Sequence, residues 1–209
     1  MTKPLIKICG LTRAQDVALC HDLGVDFTGF IFAAKSPRFI APEKAALLPS
    51  GPARRVGVFV NEDLNAVQQI ARTAKLDLLQ LHGGESVEYC KAVGAQRVIK
   101  VLWPDRLSPD ELQKTINAFA DSCAYFLLDA GTQGGGSGQT LDWEKLTAIT
   151  FPKPWLLAGG LGPQTLATAR SALITNPPDG FDLNSALESA PGIKDEKLVK
   201  AVYATSAQS

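Results

Sequence analysis

The sequence predicts an α/β fold, a closed (β/α)8 barrel, and three observations predict it. Short apolar runs alternate with helical patterns from end to end. Eight such β-then-α units follow one another with short connections and no linker. Repeated βα units imply a parallel sheet, and eight of them close into a barrel. The length of 209 residues suits a single domain over residues 1–209, a barrel at the small end of its size range.

The elements are expected in this order. Leu5-Ile6-Lys7-Ile8-Cys9 forms the first strand, and Thr12 precedes a helix over 13–23 as a capping residue. Gly24 follows where a left-handed C-terminal residue belongs. A strand over 27–32 leads to a short helix over 43–48, and a strand over 55–60 to a helix over 63–74, with Asn61 ahead of Asp63 as start signal. A strand over 76–81 and a helix over 87–93 end at Gly94, a second C-terminal glycine. After the strand at 98–102, Ser108 stands before Pro109, which is favoured in a first helical turn, and the helix runs over 109–120. Tyr125-Phe126-Leu127-Leu128 reads as a strand buried on both faces. A glycine-rich loop, Gly131 and Gly134-Gly135-Gly136-Ser137-Gly138, separates it from a helix over 142–149 capped by Asp142. The strand at 155–158 is followed by Gly162-Pro163 opening a helix over 164–171. A strand over 181–183 and a last helix over 195–204 complete the order.

Composition narrows the function classes. The chain is 45% hydrophobic and 20% charged, which supplies a sizeable core. Its 21 basic and 21 acidic residues cancel, and no Lys/Arg run appears, which argues against a nucleic-acid partner. No apolar stretch reaches membrane-spanning length. The first strand begins almost at the N-terminus, so no signal peptide is expected. Cys9, Cys20, Cys90 and Cys123 show no paired spacing, which argues against zinc or disulfides and for a reducing cytoplasm. The last three lie in or beside helices and read as packing.

Asp129 and Cys9 carry the chemistry. Asp129 ends a buried strand, where barrels of this type place their reactive groups. Capping or ordering the following loop is its alternative role. Cys9 shares a strand face with Lys7, while Ile6 and Ile8 share the other. With the isoleucines against the helices, Lys7 and Cys9 face into the barrel, and the lysine favours the thiolate. A buried, inert thiol is the alternative. An acid and a thiol at two strand ends suggest proton transfer without a metal or redox cofactor. Gly159 and Gly160 close the seventh strand, and Ser185 and Ala186 follow the eighth. Barrels that bind phosphorylated ligands use these two loops, with backbone N–H groups and a helix N-terminus facing the anion. The glycine pair alone would also make a tight turn. Arg38 after the second strand is placed to clamp a carboxylate bidentately, and His82 after the fourth to contact substrate. A solvated arginine and a structural histidine are the alternatives.

Taken together these segments resemble the phosphoribosylanthranilate isomerase family of tryptophan biosynthesis, whose fold is the TIM barrel. The residues that carry the likeness are Lys7-Ile8-Cys9-Gly10-Leu11-Thr12, Ser36-Pro37-Arg38, Val56-Gly57-Val58-Phe59-Val60-Asn61, Gln80-Leu81-His82-Gly83 and Leu127-Leu128-Asp129. Gly135-Gly136-Ser137-Gly138 with Asp142-Trp143, Leu157-Ala158-Gly159-Gly160-Leu161, and the stretch from Glu188 through Pro191-Gly192 to Lys194-Asp195 extend it over nearly the whole chain. The resemblance implies that Cys9 is the general base and Asp129 the general acid, and that Arg38 faces the anthranilate carboxylate. It implies an Amadori rearrangement of a small phosphorylated substrate, with no cofactor and no metal, in a monomer or homodimer. Asp129 would protonate the furanose ring oxygen, and Cys9 would then remove the sugar C2 proton. Ordinary values, about 3.9 for Asp and about 8.5 for Cys, run the wrong way, so burial is expected to raise Asp129 and positive charge to lower Cys9. One segment departs from the family. Asn184-Ser185-Ala186-Leu187 has Ala186 where the family has a glycine, and alanine disfavours positive φ near a phosphate. A non-catalytic binder of phosphorylated metabolites and another phosphosugar isomerase of barrel fold are the remaining readings.

Overall fold

The structure, a computed structural model, describes residues 3–129 and 144–207. Eight parallel strands close into a barrel: β1 (Leu5–Ile8), β2 (Phe27–Ile31), β3 (Arg54–Phe59), β4 (Leu78–Leu81), β5 (Val98–Leu102), β6 (Tyr125–Asp129), β7 (Trp155–Ala158) and β8 (Gly180–Leu183). Closure is made by β8 on β1, with Lys7 opposite Asp182. The helices are α1 (Ala14–Leu23), α2 (Pro42–Ala46), α3 (Leu64–Thr73), α4 (Val87–Val93), α5 (Pro109–Phe119), α6 (Glu144–Thr147), α7 (Leu166–Ala172) and α8 (Glu196–Ala207). A two-stranded antiparallel hairpin, β9 (Glu188–Ala190) and β10 (Ile193–Lys194), lies between β8 and α8.

Alternation along the strands creates two apolar layers. Ile6 and Ile8 face the helices and join one core with Val17, Cys20, Phe30, Leu128 and Phe181. Phe27, Val56, Leu78, Ile99, Leu127 and Leu156 fill the barrel itself. The interior is therefore a packed plug, and the buried Lys7–Asp182 pair lies toward its C-terminal mouth. Carboxylates tie the opposite mouth together. Asp26, Asp77 and Asp179, each just ahead of a strand, accept from the N–H groups of Ile6, Arg55 and Trp155.

Several helix starts differ from the sequence expectation, because tertiary bonds claim the expected capping groups. Thr12 donates to the Gly192 carbonyl, and Arg13 takes the cap position without a side-chain capping bond. The Asn61 carboxamide accepts from Gly84, while Asp63 caps α3. Gly162 and Pro163 form a turn rather than opening α7, which starts at Leu166. Gly94 has positive φ but not left-handed helical ψ. Gly24 is left-handed as expected, and Ser108 with Glu111 forms a reciprocal capping box on α5. The glycine-rich loop, Asp142 and Trp143 lie outside the described residues. Among the described residues no helix is long and apolar enough to cross a membrane.

Candidate active site

Cys9 follows the last residue of β1 and is 4% exposed at the barrel mouth. Two glycines make room for it. A Cβ on Gly29 of β2 would come within 2.8 Å of the Cys9 sulfur. Gly10 has φ +75, and a Cβ there would meet Asn184 Oδ1 at 2.6 Å and Arg38 Cδ at 2.8 Å. Two arms of the site thus cross directly over the residue after the thiol.

Lys7 lies one pleat below Cys9, fully buried, with its Nζ donating to both Asp182 oxygens at 2.9 Å. Burial disfavours the ammonium, but Asp182 and Cys9 together outweigh it and hold the Lys7 pKa above the ordinary lysine value. The same pairing changes what Lys7 does to Cys9. Burial pushes the thiol up, Lys7 opposes this, and the Asp182 charge reinforces burial, so the net direction is upward. Lys7 thus acts toward the thiolate, but burial, reinforced by Asp182, outweighs it and keeps the resting thiol neutral. Sequence reading had not assigned Asp182 a role in the site. The available signal was a carboxylate between Phe181 and Leu183 in an otherwise apolar strand.

Asp129 ends β6 with its side chain 22% exposed, so it is half-buried rather than buried. His82 Nε2 lies 3.3 Å from Asp129 Oδ2, and the imidazole rests against Trp103 at 5.5 Å between ring centroids. Gln80, inside the barrel below His82, places Nε2 3.4 Å from His82 Nδ1. Gln80 and Asp129 thus bracket the imidazole through its two ring nitrogens. The charge of Asp129 also acts on Asp182 across the mouth, so the acid and the thiol share one electrostatic neighbourhood.

The two loops expected to hold a phosphate meet. Gly159 and Gly160 have φ of 101 and 63, and Ser185–Leu187 form a single 3-10 turn. A Cβ on Gly162 would come within 2.9 Å of the Ala186 Cβ. Among the described residues, the N–H groups of Gly160, Ser185 and Ala186 have no protein acceptor. A turn over 163–165 separates the glycines from α7. One expectation is corrected here. Ala186 is absent from the positive-φ residues, so its methyl causes no backbone strain and packs on Gly162 instead. Gly162→Ala is therefore expected to raise KM on the order of tenfold, since overpacking costs about 1–3 kcal/mol. Adding Ala186→Gly should restore much of it, and steady-state kinetics on the single and double variants checks this.

Arg38 reaches across the mouth to a carboxylate of the protein itself. Its Nε donates to Glu188 Oε1 at 3.0 Å and Oε2 at 2.9 Å, and its Nη2 donates to Oε2 at 2.7 Å. Lys194 Nζ donates to Glu188 Oε1 at 2.8 Å, to Asn184 Oδ1 at 2.9 Å and to the Asn184 carbonyl at 3.1 Å. Burial raises the Glu188 carboxyl, but Arg38 and Lys194 prevail and hold it below the ordinary glutamate value. Glu188 and Lys194 were not assigned roles from sequence. They flank the Pro191-Gly192 turn of a hairpin that only the fold brings to Arg38.

A family model described as N-(5'phosphoribosyl)anthranilate (PRA) isomerase matches residues 6–205. A Desulfovibrio desulfuricans protein named N-(5'-phosphoribosyl)anthranilate isomerase is 48% identical, covering 98% of this chain and 96% of its own. The crystal structure of phosphoribosyl anthranilate isomerase from Thermotoga maritima aligns with a TM-score of 0.85 at 31% identity, over 98% of each chain. A phosphoribosyl anthranilate isomerase solved with reduced 1-(o-carboxyphenylamino)-1-deoxyribulose 5-phosphate aligns with a TM-score of 0.78 at 30% identity, over 97% of this chain and 98% of that one.

Proposed function

The chain belongs to the N-(5'-phosphoribosyl)anthranilate isomerase family, and we propose that Cys9 and Asp129 carry the family's proton transfers in it. Its reaction is the acid/base Amadori rearrangement of N-(5'-phosphoribosyl)anthranilate to 1-(2-carboxyphenylamino)-1-deoxyribulose 5-phosphate, a step of tryptophan biosynthesis. The observation that carries the residue assignment is the placement of a buried thiol and a half-buried carboxyl at the ends of β1 and β6, around one mouth. Asp129 protonates the furanose ring oxygen, and the ring opens to a Schiff base. Cys9 as thiolate removes the C2 proton, and the enolamine tautomerises to the product. His82 presents its ring to Asp129 and keeps the carboxyl oriented. The substrate phosphate is held by the N–H groups of Gly160, Ser185 and Ala186, and its ring carboxylate by Arg38. Four buried free thiols fit a reducing cytoplasm. The direct test is the fluorescence decay of freshly made phosphoribosylanthranilate with and without the protein. Decay no faster than the spontaneous rate would end this reading.

The raised thiol sets a pH dependence. The base must be ionised, and burial moves its ionisation above the ordinary thiol value of about 8.5. The thiolate fraction of Cys9 in the free enzyme therefore grows with pH up to that point. We expect the rate of Cys9 alkylation by iodoacetamide, the part lost in Cys9→Ala, to be still rising near pH ~8.5. An alkylation plateau complete by about pH 7 would contradict a neutral resting Cys9.

A further inference from the structure

We propose that Glu188 is a positioning residue for recognition of the substrate's ring carboxylate: it grips one edge of the Arg38 guanidinium so that the other edge faces the substrate. This rests on the reading of Arg38 as the carboxylate clamp. Arginine has five N–H donors in a planar fork, and a carboxylate takes two of them along one edge. Glu188 occupies the Nε/Nη2 edge. Among the described residues Nη1 has no protein acceptor, and the Arg38 side chain keeps 19% of its surface exposed. The Nη1/Nη2 edge is thus the one left for a second carboxylate.

Three observations indicate that Glu188 is held as a fixture. Its side chain is 3% exposed, and it accepts from Lys194 and from the Gly192 N–H as well as from Arg38. Lys194, itself 1% exposed, spends its three protons on Glu188 and Asn184, so it offers no further bond to a ligand. The Arg38 stem is fixed from the other side by its passage over Gly10. The cluster of Arg38, Lys194 and Glu188 carries two positive charges and one negative. Its surplus of one positive charge matches one incoming carboxylate in a site that burial has desolvated.

The test uses two ligands, the reduced product analogue and its counterpart built on aniline, which lacks only the carboxylate. In the wild type the ratio of their dissociation constants should favour the first by roughly ten- to hundredfold, the range for charge-assisted pairing. Glu188→Gln should shrink this ratio severalfold while leaving affinity for the aniline analogue, held by its phosphate, unchanged. An unchanged ratio would overturn the proposal. So would a larger ratio, which would make Glu188 a competitor of the substrate carboxylate. Glu188→Asp keeps the charge and shortens the arm, and it decides the matter if the Gln variant does not fold. A reduced ratio supports positioning, and a retained one overturns it. Arg38→Met is the separate control. If it leaves the ratio intact, the reading of Arg38 fails on its own account, whatever Glu188 does.

Discussion

Cys9→Ala is expected to lower kcat by roughly 10²–10⁴, the worth of a well-placed general base. The fold should survive. The side chain is small, sits between Gly29 and Gly10 at the mouth, and packs only on the edge of the core with Ile31 and Val58. Affinity for the reduced product analogue should change little, because its phosphate and carboxylate contacts lie elsewhere. The variant also separates Cys9 from its electrostatic setting. Lys7 donates to both Asp182 oxygens as well as interacting with the sulfur, so its pair with Asp182 should persist without the thiol. A folded variant with near wild-type kcat would remove Cys9 from the mechanism.

Asp129→Asn should produce a loss of similar size, roughly 10²–10⁴ in kcat, with only a modest change in KM. Asparagine keeps an oxygen acceptor for His82 but has no acidic proton to deliver. The kinetic pattern is diagnostic. Loss in kcat without loss of binding marks an interaction made in the transition state, whereas loss confined to KM would mark uniform binding. Equal activity in variant and wild type would reduce Asp129 to ordering the loop that follows it.

What the sequence revealed, and what it hid, follows from the range of the interactions. The strands were legible because residues such as Val98 to Leu102 and Tyr125 to Leu128 form apolar runs of strand length. Cys9 and Asp129 were legible because each ends such a run. Parity along β1 also placed Lys7 beside Cys9 in the barrel. The net state of Cys9 was not legible, because its burial and the charge of Asp182, which stands 175 residues from Lys7 and arrives only when β8 closes on β1, exist only in the fold. The pairing of Arg38 with Glu188 spans 150 residues and depends on the β9–β10 hairpin, which left no periodic signal. The loss of Thr12 and Asn61 as caps has the same cause, since Gly192 and Gly84 claim their side chains from distant segments. Ala186 shows a different limit. A family glycine suggests a positive φ, but the 3-10 turn at Ser185–Leu187 supplies a backbone that alanine adopts without strain.

The most direct measurement is a crystal structure of the protein with the reduced product analogue. We expect the phosphate on the N–H groups of Gly160 and Ser185, and the ring carboxylate on the Nη1/Nη2 edge of Arg38 with Glu188 still in place. The sugar C2 should lie within about 3–3.5 Å of the Cys9 sulfur, and the position of the former ring oxygen within hydrogen-bond reach of Asp129. A phosphate seated away from Gly160 and Ser185, or a C2 closer to Asp129 than to Cys9, would contradict the assignment of base and acid.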